Sequence, residues 1–370
     1  MDKGAGSVLY CFMWWKRDFF LCRLGRRWLR LMGDRNGTPR RLSRPQVILI
    51  LAAAAAILIG AYCLLLRLEQ NGRNPEPTGD PNARYASDVT VEYDGHTYRQ
   101  KRTVTTILLM GIDTHGDERT GVGERGGGQA DFLRLLVLDR GEKKICQLAI
   151  DRDTMAEFTI LGVLGDVAGT RVDNISLSHY FGDGKEKSCE LTRNAVSKLL
   201  LGARIDFYVA MNLDGVPVFN DALGGVEVTL EDDLSSLDPT WVPGEKVKLQ
   251  GSQAETFVRA RRTVGDGTNE SRMRRQQQYV SQAVRLMQDR VQEDENFIGH
   301  MFDVLSPYLV AGISRSQLVN EAYNARNYAH VPVISLAGEH KISEEGFMQF
   351  WPDEDKLRET VLDLLFNQVN

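Results

Sequence analysis

The chain has 370 residues, 42% of them hydrophobic and 26% charged, with 45 Lys and Arg against 50 Asp and Glu for a formal net charge of −5. This composition excludes a disordered tail, a collagen-like fibre and a disulfide-dense miniprotein, and the length suffices for one large core or two modest ones. The charge is unevenly spread: residues 1–46 carry eleven basic and three acidic side chains, a net of +8, and the remaining 324 residues carry a net of −13.

In residues 1–46, aromatic and apolar side chains (Tyr10, Phe12, Trp14, Trp15, Phe19, Phe20) alternate with Arg and Lys. Such a segment suits the surface of an anionic inner leaflet, with rings at headgroup level, better than a nucleic-acid-binding arm. Residues 47–66 (VILILAAAAAILIGAYCLLL) hold no charge and no polar face. As a helix rising ~1.5 Å per residue they cover roughly 30 Å, the thickness of a bilayer's hydrocarbon core. Eleven basic residues precede the span and only Arg67 follows closely, so the expected topology is a single pass with a cytoplasmic N-terminus and the rest outside. The apolar run is longer than the ~7 to 15 residues of a cleaved signal peptide.

Residues 69–83 (EQNGRNPEPTGDPNA) are polar and rich in Pro and Gly, and a linker is expected over 67–100. A globular domain is then expected over 101–292, with 293–370 as a C-terminal extension packed on it. Within the domain, residues 103–110, 132–138, 144–150 and 206–211 are short apolar, β-branched runs that read as strands. Helical patterns occupy 188–201, 213–223, 252–261 and about 269–290, and the C-terminal part adds a strand at 331–336 and a helix over 353–366. Strands alternating with helices predict an α/β fold with a sheet covered on both faces. Of five cysteines only Cys146 and Cys189 lie beyond the span, and one bridge between them is possible. The absence of CxxC, HExxH and GxSxG leaves metal-hydrolase and serine-hydrolase readings without support.

Chemistry-bearing residues sit where strands end. The run TILLMGID stops at Gly111 and then Asp113, and Gln129-Ala130-Asp131 opens the next strand. Two carboxylates at strand tips in one crevice are what a magnesium ion held mostly through water and phosphate needs, although Asp is also a common turn former. Between them Gly121-Val-Gly123-Glu-Arg-Gly126 matches GxGxxG but precedes a strand instead of opening a helix, so it fails the context of a dinucleotide site. A third strand ends in Ile150-Asp151-Arg152-Asp153-Thr154, which puts Arg152 near the same edge. The window 259–275 holds six Arg, no Lys and two acids. Exclusive use of Arg points to bidentate recognition of phosphate, since the planar fork meets two oxygens at once. Arg272, Arg274 and Arg275 crowd the first turn of the long helix, where cations oppose the helix dipole unless an anion sits there. Arg272 and Gln276, four apart, share a helix face.

These residues resemble the LytR-CpsA-Psr family of bacterial cell-envelope proteins over about 103–290. The resemblance rests on motif order: the strand ending in GID, the x-x-Asp strand opening, Arg-Asp-Thr at 152–154, Asn174 in VDNIS, DALGGV at 221–226, Arg-x-Arg at Arg259 and Arg261, and Arg-x-x-x-Gln at Arg272 and Gln276. It implies a three-layer α-β-α sandwich with a mixed central sheet and an apolar channel for a polyprenyl chain, preceded by one transmembrane helix. It further implies that Asp113 and Asp131 hold Mg2+, that Arg152, Arg259, Arg261, Arg272 and Gln276 clamp a pyrophosphate, and that Asn174 lines or supports the site. The implied activity is phosphoryl transfer, moving a teichoic acid or capsular polysaccharide from undecaprenyl pyrophosphate to a muramic acid of peptidoglycan. The partners are then the lipid-linked glycopolymer, peptidoglycan and membrane lipid, with no nucleic acid. A polyprenyl-pyrophosphate phosphatase and a non-catalytic envelope scaffold or regulator are the alternatives.

The chain departs from the family pattern at Gln129, where Arg is usual, and at Asp151, where Pro is common. Both changes are expected to make the site less positive. The glycine-rich loop 114–128 is longer than usual, either a lid or a tolerated insertion. Asp113, Asp131 and Asp153 are each possible acceptors of the acceptor hydroxyl's proton.

Overall fold

The computed structural model describes residues 89–116, 127–162, 165–260, 264–265 and 269–369, apart from the side chains of residues 269, 270 and 273. The expected span at 47–66, Arg261 and residues 117–126 of the glycine-rich loop lie outside the described residues. Among the described residues no helix is long and apolar enough to cross a membrane.

Among the described residues, the first strands lie inside the stretch expected to be linker. Strands β1 (Thr90–Tyr93) and β2 (His96–Gln100) form an antiparallel hairpin across Asp94 and Gly95, both at positive φ. That is the geometry a two-residue hairpin turn needs and Asp-Gly readily adopts. The chain continues through β3 (Val104–Ile112), β4 (Ala130–Asp139) and β5 (Lys144–Ile150). A second hairpin follows, β6 (Met155–Leu161) and β7 (Val167–Asn174), then α1 (Leu177–Tyr180), α2 (Glu186–Leu199) and β8 (Phe207–Asn212). Next come α3 (Gly215–Ala222), the short pair β9 (Glu227–Thr229) and β10 (Lys246–Lys248), α4 (Ser252–Arg259), α5 (Asn269–Glu293) and α6 (Phe297–Leu305). The C-terminal part holds β11 (Leu309–Ala311), α7 (Arg315–Ala325), β12 (Ala329–His330), β13 (Ile334–Ser335), the hairpin β14 (Gly338–Ile342) and β15 (Met348–Pro352), α8 (Glu354–Leu365) and β16 (Phe366–Gln368).

The central sheet has the order β11-β8-β3-β4-β5-β12, with β13 also pairing β5. It is mixed: β3 runs parallel to β8, and β5 parallel to β12 and β13, while β3–β4, β4–β5 and β8–β11 are antiparallel. Alternate residues of each strand feed opposite faces. Leu108, Met110, Leu133, Leu135 and Leu148 join Cys189 and Val196 of α2 and Val361 and Leu365 of α8 in one core. Ile107, Leu138 and Phe207 meet Ile313 and Ala325, with Leu318 of α7 packed against them, on the other face. Helices therefore cover both sides of the sheet.

Two expectations are corrected. The helical patterns between 213 and 290 gather chiefly around a core of their own, with Leu223, Leu234, Trp241, Phe257, Tyr279 and Met301, and reach the sheet at Met211 and through Gln277. The strand expected at 331–336 is broken into β12 and β13, because Pro332 has no N–H for the ladder. Cys146 and Cys189 are both free thiols, one on β5 and one buried in α2, so the possible bridge is not made. The C-terminal segment is woven into the fold: β16 pairs β2, placing Phe366 opposite Gln100.

One buried charge lies on β4. Arg134 is 5% exposed, donates to Gln147 Oε1 (3.2 Å) and Gln277 Oε1 (3.3 Å), and lies 5.1 Å over the Phe132 ring. Its Nε is buried without a partner, and among the described residues no carboxylate pairs with it. Burial accordingly lowers its pKa. Replacing a buried charge by an apolar side chain of similar volume is often neutral or stabilising by about 1–4 kcal/mol. Arg134→Met is expected to raise the urea midpoint at unchanged slope; a lower midpoint would show that the two glutamines and the ring compensate the charge fully.

Candidate active site

The two acidic strand tips meet through a bulge. β3 and β4 are in register up to Gly111 opposite Phe132, but Ile112 then faces Ala130, which leaves Asp131 as the extra residue. A bulge bends the strand and re-aims a side chain, here turning Asp131 out of the strict alternation of β4. Close approach of the strands at this point suits Gly111, whose missing Cβ would stand 3.0 Å from Phe132 Cβ. Asp113 N donates to Gln129 O at 3.1 Å and Gln129 N donates back to the Asp113 carboxylate, so the tip of β3 and the start of β4 are clasped.

Arg152 closes the group. Its Nη1 donates to Asp131 Oδ1, its Nη2 to Gln129 Oε1 at 2.6 Å, and its Nε lies 3.3 Å from Asp153 Oδ1. Gln129 thus replaces a second cation with an acceptor that holds Arg152. The Asp131 carboxyl is raised in pKa by burial, lowered by Arg152, raised by the like charge of Asp113 and lowered by Arg272. Asp113, Arg152 and Arg272 therefore all act on the Asp131 carboxyl. Burial also raises Asp153, opposed by Arg152.

Asn174 is the last residue of β7 and stands one step behind the site. Its Nδ2 donates to Asp153 Oδ1 (3.1 Å) and Met348 O (3.0 Å), tying the Arg-Asp-Thr turn to the C-terminal hairpin. Asp151 does not act as a bare anion facing the site: its carboxylate accepts from Asp153 N (2.8 Å) and meets His340 Nε2 at 2.9 Å.

The arginine window divides. Arg259 ends α4, and the extended backbone of Ala260 (φ −53°, ψ 131°) takes the chain away. Its Nη1 donates to Glu255 Oε1 and to His115 Nε2, both at 2.9 Å, which brings it to the loop just after Asp113. Arg272 lies in the first turn of α5 and acts on Asp131, but Arg274 and Arg275 turn to Asp232, at 3.6 and 2.7 Å. The anion expected to relieve that crowded turn is thus supplied for two of the three arginines by the chain itself. Gln276 donates to Val258 O at 3.1 Å, bracing the end of α4.

A cavity of about 220 Å³ lies beside these tips, lined among others by Ile112, Thr114, His179, Asn212, Asp214 and Tyr308. His179 is buried, and burial lowers its pKa. Its Nδ1 faces the acceptor Gly128 O at 3.1 Å and so carries the proton, while Nε2 faces Cys189 Sγ at 3.8 Å.

Among the described residues no group of three or more His, Cys, Asp or Glu is arranged to hold a metal ion. The pair Asp113 and Asp131 still fits magnesium, which is commonly held by one or two carboxylates with water and substrate phosphate completing the shell. Burial chiefly raises the Asp131 pKa and the like charge of Asp113 adds to it, and a divalent cation would offset that repulsion.

A sequence model of the LytR_cpsA_psr family matches residues 73–364, running past both ends of the 101–292 domain. The chain belongs to the LytR-CpsA-Psr family. Among its relatives, the polyisoprenyl-teichoic acid–peptidoglycan teichoic acid transferase TagU of Bacillus mycoides is 24% identical over 258 residues, covering 69% of this chain and 76% of that protein. Biofilm regulatory protein A of Streptococcus mutans is 27% identical over 193 residues, 49% of this chain and 43% of that protein. For a TagU of Bacillus cereus the chain spans about half the length, 51%. The crystal structure of B. subtilis TagV shares the fold with a TM-score of 0.53 at 21% identity, covering 71% of this chain and 97% of TagV. TagT bound to LI-WTA has a TM-score of 0.52 at 21% identity, covering 71% and 90%. In this LytR-CpsA-Psr chain, spacing alone does not separate Arg274 and Arg275, which pair with Asp232, from Arg272, and no motif marks His115, which meets Arg259.

Proposed function

We propose that this chain transfers a glycopolymer, a teichoic acid or a capsular or secondary wall polysaccharide, as phosphoglycan from undecaprenyl pyrophosphate to a muramic acid of peptidoglycan. The observation that carries the reading is the Arg152 fork, which bridges Asp131, Gln129 and Asp153 beside Asp113. The names of the TagU relatives and the LI-WTA complex of TagT support the substrate class. In the proposed reaction the acceptor's 6-hydroxyl oxygen bonds to the sugar-linked phosphorus, the bond to the bridging oxygen breaks, and undecaprenyl phosphate leaves.

Magnesium, bound by Asp113 and Asp131, would neutralise charge on the diphosphate. Arg152 and Arg272 would add positive charge beside the same diphosphate, and fixed charge of that kind is the principal aid to a phosphoryl transfer. Arg259, with Arg261, extends the clamp, and Gln276 and Asn174 brace it. Burial raises the proton affinity of Asp153, which is not one of the two proposed metal ligands, and this suits it to take the hydroxyl proton. The proposed setting is a single-pass bacterial membrane protein with its N-terminus cytoplasmic and this domain outside, where its partners are membrane lipid and peptidoglycan and not nucleic acid.

The test uses the full chain in detergent with lipid-pyrophosphate glycan, peptidoglycan oligomers and magnesium. Glycan joined to the acceptor is expected from the wild type and is expected to disappear with a chelator or in Asp131→Ala and Arg272→Ala. Free phosphorylated glycan would instead make the protein a phosphatase, and tight donor binding without product a scaffold or regulator.

A further inference from the structure

Asp214 sits at the N-cap position of α3, where an Asp normally accepts from the first free helix N–H groups, yet its side chain makes no such bond. Asn212 Oδ1 accepts from Gly215 N at 3.2 Å nearby. The Asp214 carboxylate reaches across to the loop after β3 instead, accepting from Gly116 N at 2.6 Å and meeting His115 Nδ1 at 2.7 Å. The His115 hydrogen bond holds the Asp214 carboxyl below its ordinary pKa.

The chemistry of the neighbours sets the histidine's tautomer. Nδ1 faces a carboxylate, which can only accept, so Nδ1 carries the hydrogen. Nε2 faces Arg259 Nη1 at 2.9 Å, which can only donate and stands closer than the Glu255 carboxylate, so we assign Nε2 the lone pair. Glu255 Oε1 lies 3.3 Å from the same Nε2 and itself accepts from Arg259 Nη1 at 2.9 Å. The Nη1 corner of Arg259 is therefore gripped from two sides. Among the described residues its Nε and Nη2 make no hydrogen bond, which leaves the other edge of the fork for a ligand.

We propose that Asp214, through His115, is a positioning residue that holds the Arg259 guanidinium with its free edge presented to the diphosphate of the substrate. This rests on the reading of Arg259 as a pyrophosphate ligand. The relay joins three elements, the end of β3, the entry to α3 and the last turn of α4, so it sets the clamp against the carboxylate tips. A fork already held loses less freedom on binding than a mobile one. His115 and Asp214 are both well exposed, so their replacement leaves the core untouched.

The test has two arms on the full chain. Nitrogen-15 shifts of His115 at mildly alkaline pH are expected to show a protonated Nδ1 and a bare Nε2, a preference lost in Asp214→Ala and kept in Asp214→Asn, which retains an acceptor. Titration calorimetry with inorganic pyrophosphate and magnesium is expected to show binding weakened roughly tenfold by His115→Ala, the equivalent of one charge-assisted hydrogen bond. His115→Ala combined with Arg259→Ala should bind no more weakly than Arg259→Ala alone, since one acts through the other. Losses that multiply, or a His115 protonated on Nε2, overturn the relay while leaving the proposed function standing. A wild-type chain that binds no pyrophosphate overturns the ligand reading and this role together, even with the expected tautomer present.

Discussion

Asp131→Ala is expected to lower glycopolymer transfer by roughly 10²–10³-fold, the scale of removing one preorganised electrostatic contact to a transition state. The substitution takes away one of two carboxylates at the strand tips and the partner of Arg152 Nη1, and it leaves the fork drawn toward Asp153, already 3.3 Å from Nε. The effect should fall on kcat as well as KM, because charge at the reacting phosphorus is what the site handles. Stability provides the control. The Asp131 pKa is raised in the folded chain, so the folded state binds its proton more tightly than the unfolded one. Its stabilising contribution is present at low pH and lost as pH rises through the raised pKa, which means that ionised Asp131 costs stability at neutral pH. Asp131→Asn is accordingly expected to lose transfer without lowering the thermal midpoint. Transfer within threefold of wild type in both variants would remove Asp131 from the machinery.

Arg275→Ala is expected to destabilise the domain by about 3–5 kcal/mol, the usual result of breaking a buried, hydrogen-bonded ion pair from one side. Arg275 is 4% exposed and donates to Asp232 Oδ2 (2.7 Å), Ser271 Oγ (2.8 Å), Phe257 O (3.2 Å) and Ala260 O. Two of these acceptors are carbonyls in the last turn of α4 or just past it, where a helix leaves its carbonyls without intrahelical partners. The side chain therefore pins the end of α4, which carries Arg259, to the first turns of α5, which carry Arg272. Arg274, 3.6 Å from Asp232, partly covers the orphaned carboxylate and places the expected loss toward the lower end of that range. Arg275→Lys should rescue little, since one ammonium cannot span acceptors on two helices. Urea unfolding gives the measurement, and a loss under about 1 kcal/mol would show that the α4–α5 junction is held by packing alone.

Much of this architecture is legible before folding. The strands β3, β4, β5 and β8 appear as apolar, β-branched runs because the sheet is covered on both faces there, and β5 coincides with its sequence run, residues 144–150. Asp113, Asp131 and Arg152 can be placed at strand ends for the same reason: the apolar run stops and a charge begins. The β6–β7 hairpin was not legible. β7 reads VAGTRVDN and is largely exposed, so no buried face imposes a period of two on its sequence.

Local sequence was enough to specify the buried strands, the amphipathic helices, the apolar run at 47–66 and the family motifs, since each depends on residues a few positions apart. Partnership between distant charges was not. Six arginines in one window look alike until Asp232, some forty residues away, claims Arg274 and Arg275 and leaves Arg272 to Asp131. Likewise Asp151 looks like an added anion until His340, 189 positions on, meets it, and Asp214 looks like a helix cap until His115 draws it away. A charge is satisfied by whatever the fold brings within about 3 Å, and that distance is set by the packing of strands and helices rather than by position along the chain.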